Sequence, residues 1–481
     1  MSDDRAGGNE RTTGIRSMER ARVVCAVFAL LAAGCLQTDF PPERRPNLLL
    51  ITLDTTRADH CSLYGYEHDT TPNLRALAED ATRFDLAYAP ASSTGPTHAT
   101  IFTSLAPLEH GLVKNGLALG EAQDTLAEHL ARDGYETAAF VSSFVLDEKF
   151  GFAQGFAAYD DEFERADASL SVESWVGFEV TGGFDRRADA TTDRSIEWLR
   201  ARNSEEPFFL FIHYFDPHSP YEPPPSFSSR FATPGPSSES SETINSRYDG
   251  EIAFTDEQLG RLLAELKSLN LFDETLIVVT GDHGEGLGQH GHMTHGDYIY
   301  EEALRVPLLI RRPGGNEAGG HRVIGAPVIL TDLAPTILDL LAVGRDDSAF
   351  VGDGWAPAIS GDDALDAEPA LYFQTDRLLS TRRVRSMQND VSSDWATGEK
   401  FGLRQGRWKY IEDWQHHARE LFDLTSDPGE LTNLASARPL VTATLARQLA
   451  EWREAHTLRA VTSVPMSEYD IELLRALGYV E

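Results

Sequence analysis

The chain has 481 residues, 41% of them hydrophobic, which is enough to bury a large core, in one large α/β domain with a smaller companion or in two to three medium domains. Its formal net charge of -34 repels phosphate backbones, so the composition excludes nucleic acid as a partner. The acidic residues are spread along the chain and indicate a solvated surface, so a small anionic ester would need local positive charge from a metal ion or from His and Arg side chains.

The N-terminal segment 1–34 has the pattern of a signal peptide. Two arginines precede the apolar run 23–33, which is too short to span a bilayer as a stable helix, and small residues lead into Cys35. This ending resembles the bacterial lipobox, in which the cysteine receives lipid and becomes the mature N-terminus. Residues 1–17 are polar and without pattern, so Met18 is an alternative start. The other interpretations are an uncleaved signal anchor and a chance apolar run.

The predicted anchor has consequences for location and for cysteine chemistry. We expect an exported protein held at a membrane by lipid on Cys35, with 35–45 as a charged tether. Leu36 is not the aspartate associated with inner-membrane retention, which favours the outer membrane in a cell with two membranes. Cys25 would leave with the signal peptide, so Cys61 is the remaining thiol and no intrachain disulfide is expected.

Short apolar runs in the body of the chain end in polar residues, a pattern that predicts strands buried on both faces of a sheet. Amphipathic stretches between them fit crossover helices. The sequence therefore predicts an α/β fold over 46–361, with a large mixed, mostly parallel sheet flanked by helices and ligands at the carboxyl ends of its strands. The predicted strands are Asn47–Leu53, Thr137–Val141, Phe208–Ile212, Thr275–Thr280 and Val306–Ile310.

Two regions depart from this alternation. Ser219–Ser246 is rich in Pro, Ser and Glu and lacks periodicity, so we predict a loop, either a rim over the site or a solvated insertion. Beyond residue 361 the pattern loosens into short strand-like pieces around Trp408–Tyr410 and a helix-like stretch at Leu440–His456. These features predict a smaller C-terminal α+β subdomain over 362–481.

A turn with two candidate metal ligands follows one of the predicted strands. The segment Thr280–Glu285 (TGDHGE) places Asp282 and His283 side by side between glycines. Asp54, at the end of the first strand, can supply a third ligand. Carboxylates with one imidazole suit a single divalent ion, Zn, Mn, Mg or Ca. The plainer interpretation is that each aspartate is a helix cap or a turn residue.

A candidate nucleophile lies at the start of a helix-like stretch, in Ser92–His98 (SSTGPTH). Thr94 would be near the helix N-terminus, where backbone N–H groups and the helix dipole favour an anion. Next to a divalent cation its hydroxyl could ionise near neutral pH and attack phosphorus or sulfur. The alternative, equally favoured by these residues alone, is that Thr94 only caps the helix.

Five blocks, in order and covering nearly the whole chain after the tether, resemble the sulfatase family of the alkaline phosphatase superfamily. Five ordered blocks are far more specific than one motif. The ending Leu474–Val480 (LRALGYV) is also similar to that of many bacterial members. The blocks are Asn47–Tyr66 (NLLLITLDTTRADHCSLYGY), Pro90–Gly111 (PASSTGPTHATIFTSLAPLEHG), Pro207–Tyr221 (PFFLFIHYFDPHSPY), Thr280–Pro307 (TGDHGEGLGQHGHMTHGDYIYEEALRVP) and Glu420–Asn433 (ELFDLTSDPGELTN).

The resemblance implies a metal-dependent esterase with an alkaline phosphatase-like fold. Asp54, Asp282 and His283 match the family's metal-ligand positions. Thr94 stands where the family's Cys-x-Pro-Ser-Arg motif has the cysteine or serine that is converted to formylglycine, so no formylglycine is expected. Related phosphoethanolamine transferases and some phosphodiesterases of the superfamily have a threonine nucleophile at this position.

Four more site residues follow from the same resemblance. His98 replaces the arginine of the motif and would hold the nucleophile or the anion, and Asn115 falls near a pocket asparagine of the phosphonate monoester hydrolases. His218 matches a substrate-side histidine, and His295 falls near the lysine that contacts the substrate anion and the leaving group. Both histidines would stabilise or protonate the leaving group.

Two departures from the family pattern argue against ordinary sulfate monoester hydrolysis. Ser142 and Phe144 stand at the Lys and His positions of the Gly-Lys-x-His segment that grips sulfate. Thr55 replaces the second aspartate of the usual pair after the first strand. Together these changes remove one carboxylate from the metal and two donors from the anion pocket.

The sequence thus predicts a hydrolase or transferase in which Thr94, next to the metal, attacks a phosphate, phosphonate or sulfate ester, with phosphorus esters favoured. The substrate would be a small anionic ester, such as an ester of a glycan or a lipid. The alternative is a non-catalytic surface lipoprotein that binds sulfated or phosphorylated glycans or lipids in the same cleft. A pure binder has little use for the ligand set of Asp54, Asp282 and His283.

Overall fold

A computed structural model of the chain describes residues 45–163, 173–175, 178–180, 185–232, 240–315, 321–345, 349–375, 399–477 and 479. The signal peptide, Cys35 and nearly all of the tether therefore lie outside the described residues. Pro46–Glu481 forms one compact unit, and the predicted division at 361/362 stays a prediction. Among the described helices, none combines the length and the apolar character needed to cross a membrane.

The described strands and helices alternate through most of the chain. The strands are β1 (Asn47–Leu53), β2 (Thr82–Phe84), β3 (Ala87–Tyr88), β4 (Glu136–Phe140), β5 (Ala158–Asp160), β6 (Glu173–Trp175), β7 (Phe178–Val180), β8 (Phe208–Tyr214), β9 (Thr275–Gly281), β10 (Arg305–Val306), β11 (Leu308–Arg311), β12 (Arg322–Ile324), β13 (Val328–Ile329), β14 (Leu371–Gln374), β15 (Lys400–Gln405), β16 (Trp408–Asp413) and β17 (Arg419–Asp423). The helices are α1 (Pro72–Ala78), α2 (Thr94–Thr103), α3 (Pro107–His110), α4 (Leu126–Arg132), α5 (Ala188–Ala201), α6 (Pro225–Phe231), α7 (Ser241–Ser268), α8 (Glu301–Leu304), α9 (Leu333–Leu340), α10 (Ala356–Ser360), α11 (Pro439–Ala455) and α12 (Glu468–Ala476).

An eight-stranded mixed sheet forms the centre of the fold, in the order β12-β2-β11-β9-β1-β8-β4-β5. β1 lies between β8 and β9 and runs parallel to both, and β4 and β5 continue the parallel part. β11 pairs antiparallel with β9 and β2, so the sheet is mixed. The predicted α/β class with a mostly parallel sheet is confirmed.

The predicted strand Val306–Ile310 is wrong as one element. Pro307 divides it into β10, which pairs with β3 in a separate small sheet, and β11, which joins the main sheet. Proline has no N–H group and cannot donate to a sheet ladder, so the pairing changes at this residue.

Both faces of the central strand are buried, which explains its unbroken apolar run. Leu48 and Leu50 pack into one core with α2, α4 and α9. Leu49 and Ile51 pack into a second core with α1, α5 and α7. Alternating side chains point to opposite faces of a strand, so a strand covered by helices on both sides has to be apolar at every position.

The predicted loop Ser219–Ser246 is wrong in part, because helices occupy two pieces of it. α6 begins with Pro225 in its first turn and buries Phe227 and Phe231, and α7 begins at Ser241. Proline is favoured at the first helical position, where its missing N–H group is not needed, so a proline-rich segment can precede a helix. The side chain of Ser240 accepts a hydrogen bond from Thr243 N and caps α7.

A four-stranded antiparallel sheet, in the order β14-β15-β16-β17, follows the main sheet in the chain. α11, which covers most of the predicted helix Leu440–His456, places Leu445 and Leu449 in the same core as Phe401 and Leu403 of β15. The predicted α+β character of the C-terminal region is confirmed.

Candidate active site

The polar residues of the site meet at the carboxyl ends of β1, β8 and β9. Asp54 follows β1, His213 is the last residue but one of β8, and Asp282 and His283 follow β9. All four side chains are fully buried. The three strands are parallel neighbours, so residues from distant parts of the chain come together at one sheet edge.

Asp54, Asp282 and His283 each offer a ligand atom, and these atoms lie within 4.8 Å of one another. Both carboxylate oxygens of Asp54 and Oδ2 of Asp282 are buried without a hydrogen-bond partner. Burial raises the pKa of Asp54, and burial together with the charge of Asp54 raises the pKa of Asp282. Buried, unpartnered carboxylate oxygens are costly unless a cation neutralises them, so this donor set fits a divalent metal ion.

Backbone contacts of the turn orient both of its ligands. Nδ1 of His283 donates to Gly284 O at 2.9 Å, which leaves Nε2 to face the carboxylates. Oδ1 of Asp282 accepts from the backbone N of Thr55 at 3.2 Å and of His283 at 2.7 Å. A Cβ on Gly284 would lie 1.9 Å from Glu302 O, so only glycine fits the turn at this position.

Thr55 stands where the family has a second aspartate, and its hydroxyl is directed away from the ligand atoms. It donates to Pro217 O at 2.8 Å, while its backbone N holds Asp282. Its φ of 49° is in the left-handed region, which is uncommon for a β-branched residue. Thr55 therefore shapes the loop after β1 and does not supply a ligand atom.

Thr94 is the first residue of α2, and its hydroxyl lies 3.2 Å from Nε2 of His283. Ser93 occupies the N-cap position of this helix and makes no side-chain capping bond. Thr94 is therefore not the N-cap residue of this helix. Its buried hydroxyl contacts a candidate metal ligand instead of the helix N-terminus.

The side chain of Asn115 takes the place of a capping side chain at the start of α2, where it accepts a hydrogen bond from a backbone N–H group. Its Oδ1 accepts from Gly95 N at 2.7 Å, and its Nδ2 is buried without a partner. A Cβ on Gly95 would lie 2.8 Å from Asn115 Oδ1, so glycine permits this close approach. Asn115 thus has an unused donor beside Thr94, as a residue that binds an anion requires.

His98 supports Thr94 from one helical turn away. Its Nδ1 donates to Thr94 O at 2.8 Å, and its Nε2 accepts from the hydroxyl of Thr52 at 2.9 Å. Burial lowers its pKa to about 3, so the ring is neutral. Of the two roles considered for His98, holding the nucleophile fits this geometry, because no positive charge is offered to an anion.

His213 is a site residue that the sequence reasoning did not single out. Its Nδ1 accepts from Ser142 N at 3.4 Å, so Nε2 carries the proton and lies 3.2 Å from Asp54 Oδ2. Burial lowers its pKa to about 4. The hydroxyl of Ser142 bonds to Thr191 at 2.7 Å, and Phe144 packs in the core. His213 thus offers a donor where the sulfate-gripping side chains are missing. The sequence feature that could have identified His213 is its position at the end of the apolar strand β8.

His218 and His295 lie together near the candidate ligands. Their ring centroids are 5.0 Å apart, and His295 is 4.5 Å from His283. His218 donates from Nδ1 to Ser219 O at 2.6 Å, and its Nε2 is buried without a partner. Burial lowers the pKa of His218 to about 4 and also lowers that of His295. His295 contacts Glu285, its Nδ1 being 3.4 Å from Oε1, and this carboxylate was also missed at the sequence level.

Three polar residues near the motifs have structural partners. Arg57 binds Asp59, Gln289 and the carbonyl of Glu285. His110 lies 3.2 Å from the hydroxyl of Thr100, and His290 pairs with Glu302 at 2.6 Å. These contacts use donors of all three side chains, which fits structural roles.

Comparison with known proteins gives a consistent result. A family model described as sulfatase matches residues 46–343, and one described as N-sulphoglucosamine sulphohydrolase, C-terminal, matches residues 288–455. An arylsulfatase of Clostridium perfringens is 26% identical over 467 residues, covering 82% of this chain and 91% of that protein. An N-acetylglucosamine-6-O-sulfatase of Bacteroides thetaiotaomicron is 24% identical over 500 residues, covering 84% and 85%. The crystal structure of phosphonate monoester hydrolase of Agrobacterium radiobacter has a TM-score of 0.69 and 24% identity, covering 86% of this chain and 96% of that chain.

Proposed function

Because this chain belongs to the sulfatase family of ester hydrolases, within the alkaline phosphatase superfamily, we propose that it cleaves phosphorus or sulfur esters with Thr94 as the nucleophile. The observation that carries the proposal is the 3.2 Å contact between the Thr94 hydroxyl and His283 Nε2. This contact lies beside the unpartnered, buried oxygens of Asp54 and Asp282. The contact therefore places a hydroxyl nucleophile next to an anionic ligand set that suits a divalent cation.

Asp54, Asp282 and His283 would hold one divalent ion, Ca, Mg, Mn or Zn. Such an ion would lower the pKa of a neighbouring hydroxyl and neutralise charge that develops on the ester oxygens. His98 holds the backbone carbonyl of Thr94, so the hydroxyl keeps its direction. Two groups of residues would act on the substrate itself. Asn115 and His213 would donate hydrogen bonds to the anion. His218 and His295 would lie next to the leaving group.

The chemistry of a threonine ester favours phosphorus over sulfur. A formylglycine hydrate can expel its ester by collapsing to the aldehyde, and Thr94 has no such route. The Oγ1 of Thr94 would bond to phosphorus as the ester P–O bond breaks, and the proton that the hydroxyl loses would end on the departing oxygen, which leaves as the alcohol. A second displacement by water or by another acceptor would then release the phosphoryl group from Thr94.

The rival function, a non-catalytic lipoprotein that binds sulfated or phosphorylated glycans or lipids, shares the cleft but not the need for a nucleophile. The buried oxygens of Asp54 and Asp282 favour the enzyme, because a pure binder would gain nothing from two costly carboxylates beside a hydroxyl. The named relatives act on aryl sulfates and a sulfated sugar, which supports a glycan ester as one substrate class for this chain. We also propose export and lipid anchoring through Cys35.

The test is a panel of activated phosphodiester, phosphonate monoester, phosphate monoester and sulfate monoester substrates, each assayed with Ca, Mg, Mn or Zn. We expect the phosphodiester or phosphonate to be hydrolysed faster than the sulfate, and Thr94→Ala to lower that rate by several orders of magnitude. Thr103→Ala is the matched control, because Thr103 is on the same helix and its hydroxyl bonds to backbone groups, donating to Ala99 O and accepting from Leu105 N. Full activity in Thr94→Ala would refute the nucleophile, and a preference for sulfate would refute the phosphorus preference.

A further inference from the structure

Both ring nitrogens of His295 are engaged, and the second partner comes from the end of the chain. Nδ1 lies 3.4 Å from Glu285 Oε1, and Nε2 lies 3.1 Å from the hydroxyl of Tyr479. An ionised carboxylate only accepts, so Nδ1 has the proton and the Tyr479 hydroxyl donates to Nε2. The imidazole is therefore fixed at both edges by residues 10 and 184 positions away.

These rings form a row that leads outward from the candidate metal ligands. The centroids of His283 and His295 are 4.5 Å apart, and those of His295 and Tyr479 are 6.1 Å apart. The side chain of His283 is 0% exposed and that of His295 4% exposed, while Tyr479 is only half-buried. The reacting atom of an ester has to meet Thr94 beside His283. Its alcohol part would then point towards the outer end of this row, where Tyr479 lies.

We propose that Tyr479 is a positioning and specificity residue of the ester site, which fixes His295 and selects esters of unactivated, hydroxyl-bearing alcohols such as sugars. The inference rests on the ester hydrolysis proposed above. An unactivated alcohol needs a proton or a strong hydrogen bond on its departing oxygen, whereas an activated phenolate leaves without one. The Tyr479 hydroxyl, bonded to His295 Nε2, is the donor that such an oxygen would meet at the outer end of the row, so its loss matters most for poor leaving groups. The phenol oxygen also keeps lone pairs that can accept a hydrogen bond from a hydroxyl of a polar alcohol.

The packing of α12 gives Tyr479 a defined position. Ser467 caps this helix by accepting from Asp470 N, and Lys149 Nζ lies 2.5 Å from Asp470 Oδ1. Leu474 is buried, and a Cβ on Gly116 would lie 3.0 Å from its Cδ1, so the helix packs directly on the residue that follows Asn115. The backbone N of the tyrosine then donates to Leu474 O at 2.8 Å. Helix α12 and Tyr479 are thus held next to the segment that carries Asn115.

The experiment compares two esters of the same acid group, one with an activated aryl leaving group and one with a sugar alcohol. We expect Tyr479→Phe to lower kcat/KM for the sugar ester about tenfold or more and to change the aryl ester by less than about threefold. Tyr469→Phe is the matched control, because Tyr469 is on α12 but half-exposed, and both ratios should stay at wild-type values. A chain ending at Leu477, which lacks Tyr479, should show the same selective loss, and thermal melting checks that each variant is folded.

Equal effects of Tyr479→Phe and Tyr469→Phe on both esters would overturn the inference and leave the proposed function standing. An equal loss on both esters in Tyr479→Phe would also overturn it, because a general loosening of the site does not depend on the leaving group. If the wild-type protein cleaves neither ester, the proposed function fails, and calorimetric binding of the intact sugar ester decides the inference. A Kd that is unchanged by Tyr479→Phe would then overturn it, and a Kd raised about fivefold or more would support it.

Discussion

The hydroxyl of Thr94 and Nε2 of His283 lie 3.2 Å apart, although 189 residues separate them in the chain. The contact forms because α2 begins at the sheet edge where β9 ends. Helix α2 is fully buried over all ten of its residues, so Thr94 cannot turn towards solvent. A hydroxyl that is weakly nucleophilic in water is thereby held against the ligand set that could activate it.

Asp282→Asn and His283→Ala should each remove the bound metal while leaving a folded domain. Both changes alter ligand atoms and leave the apolar cores intact, so metal affinity falls more than stability. His110→Gln is the control, because His110 is equally buried but bonds to Thr100 away from the ligand set. Elemental analysis of purified protein measures the metal. Unchanged metal content in both ligand variants would contradict the assignment.

Asn115→Asp should separate the two functions of Asn115. The remaining Oδ1 still accepts from Gly95 N, but the unpartnered Nδ2 donor becomes a carboxylate oxygen. We expect KM for an anionic ester to rise about tenfold or more, because a donor to the anion is replaced by a like charge. Tm should fall, because the new carboxylate oxygen is buried without a partner. Inhibition by inorganic phosphate should weaken in parallel. An unchanged KM would show that Asn115 only supports α2.

Glu251→Gln should stabilise the protein, more at pH 8 than at pH 5. Burial raises the pKa of Asp216 from 3.8 to about 7, and burial with the charge of Asp216 raises that of Glu251. The unfolded chain releases these protons at lower pH than the folded chain. The contribution of the protonated pair to the free energy of unfolding is therefore lost as pH rises from about 4 through about 7. The glutamine carbonyl still accepts from Glu222 N, which now bonds to Glu251 Oε1 at 2.7 Å.

The expected gain at pH 8 is about 1 to 2 kcal/mol in the free energy of unfolding, measured by urea denaturation. Glu257→Gln is the control, because Glu257 is on the exposed side of the same helix, α7. A gain that is equal at the two pH values would contradict a titrating carboxyl pair.

Cys35→Ala should abolish lipid labelling and release the protein from the membrane fraction. The lipid on Cys35 is the predicted anchor, and the described helices offer no spanning segment in its place. Cys61→Ala is the matched control, because Cys61 is a buried thiol that should keep its surroundings and leave the labelling unchanged. Labelling that persists in Cys35→Ala would show that a different residue is modified.

Local patterns in the sequence were sufficient for much of the fold. The apolar run of β1 predicted a strand with both faces buried, and the turn after β9 predicted two adjacent ligands. The prediction from sequence was wrong where one pattern is compatible with two kinds of local structure. A proline-rich segment was predicted as a loop, yet Pro225 begins α6, because proline disfavours the middle of a helix but suits its first turn.

The sequence by itself determined which chemical groups are present: the threonine at position 94, the carboxylates and imidazole of a candidate metal site, and the order of the family blocks. Only the tertiary structure decided how these groups are used. It directs the Thr55 hydroxyl to Pro217, makes His98 a support for Thr94, and brings Tyr479 to His295. Periodicity reports the local environment of a segment, whereas these contacts depend on strand order and helix packing between residues far apart in the chain.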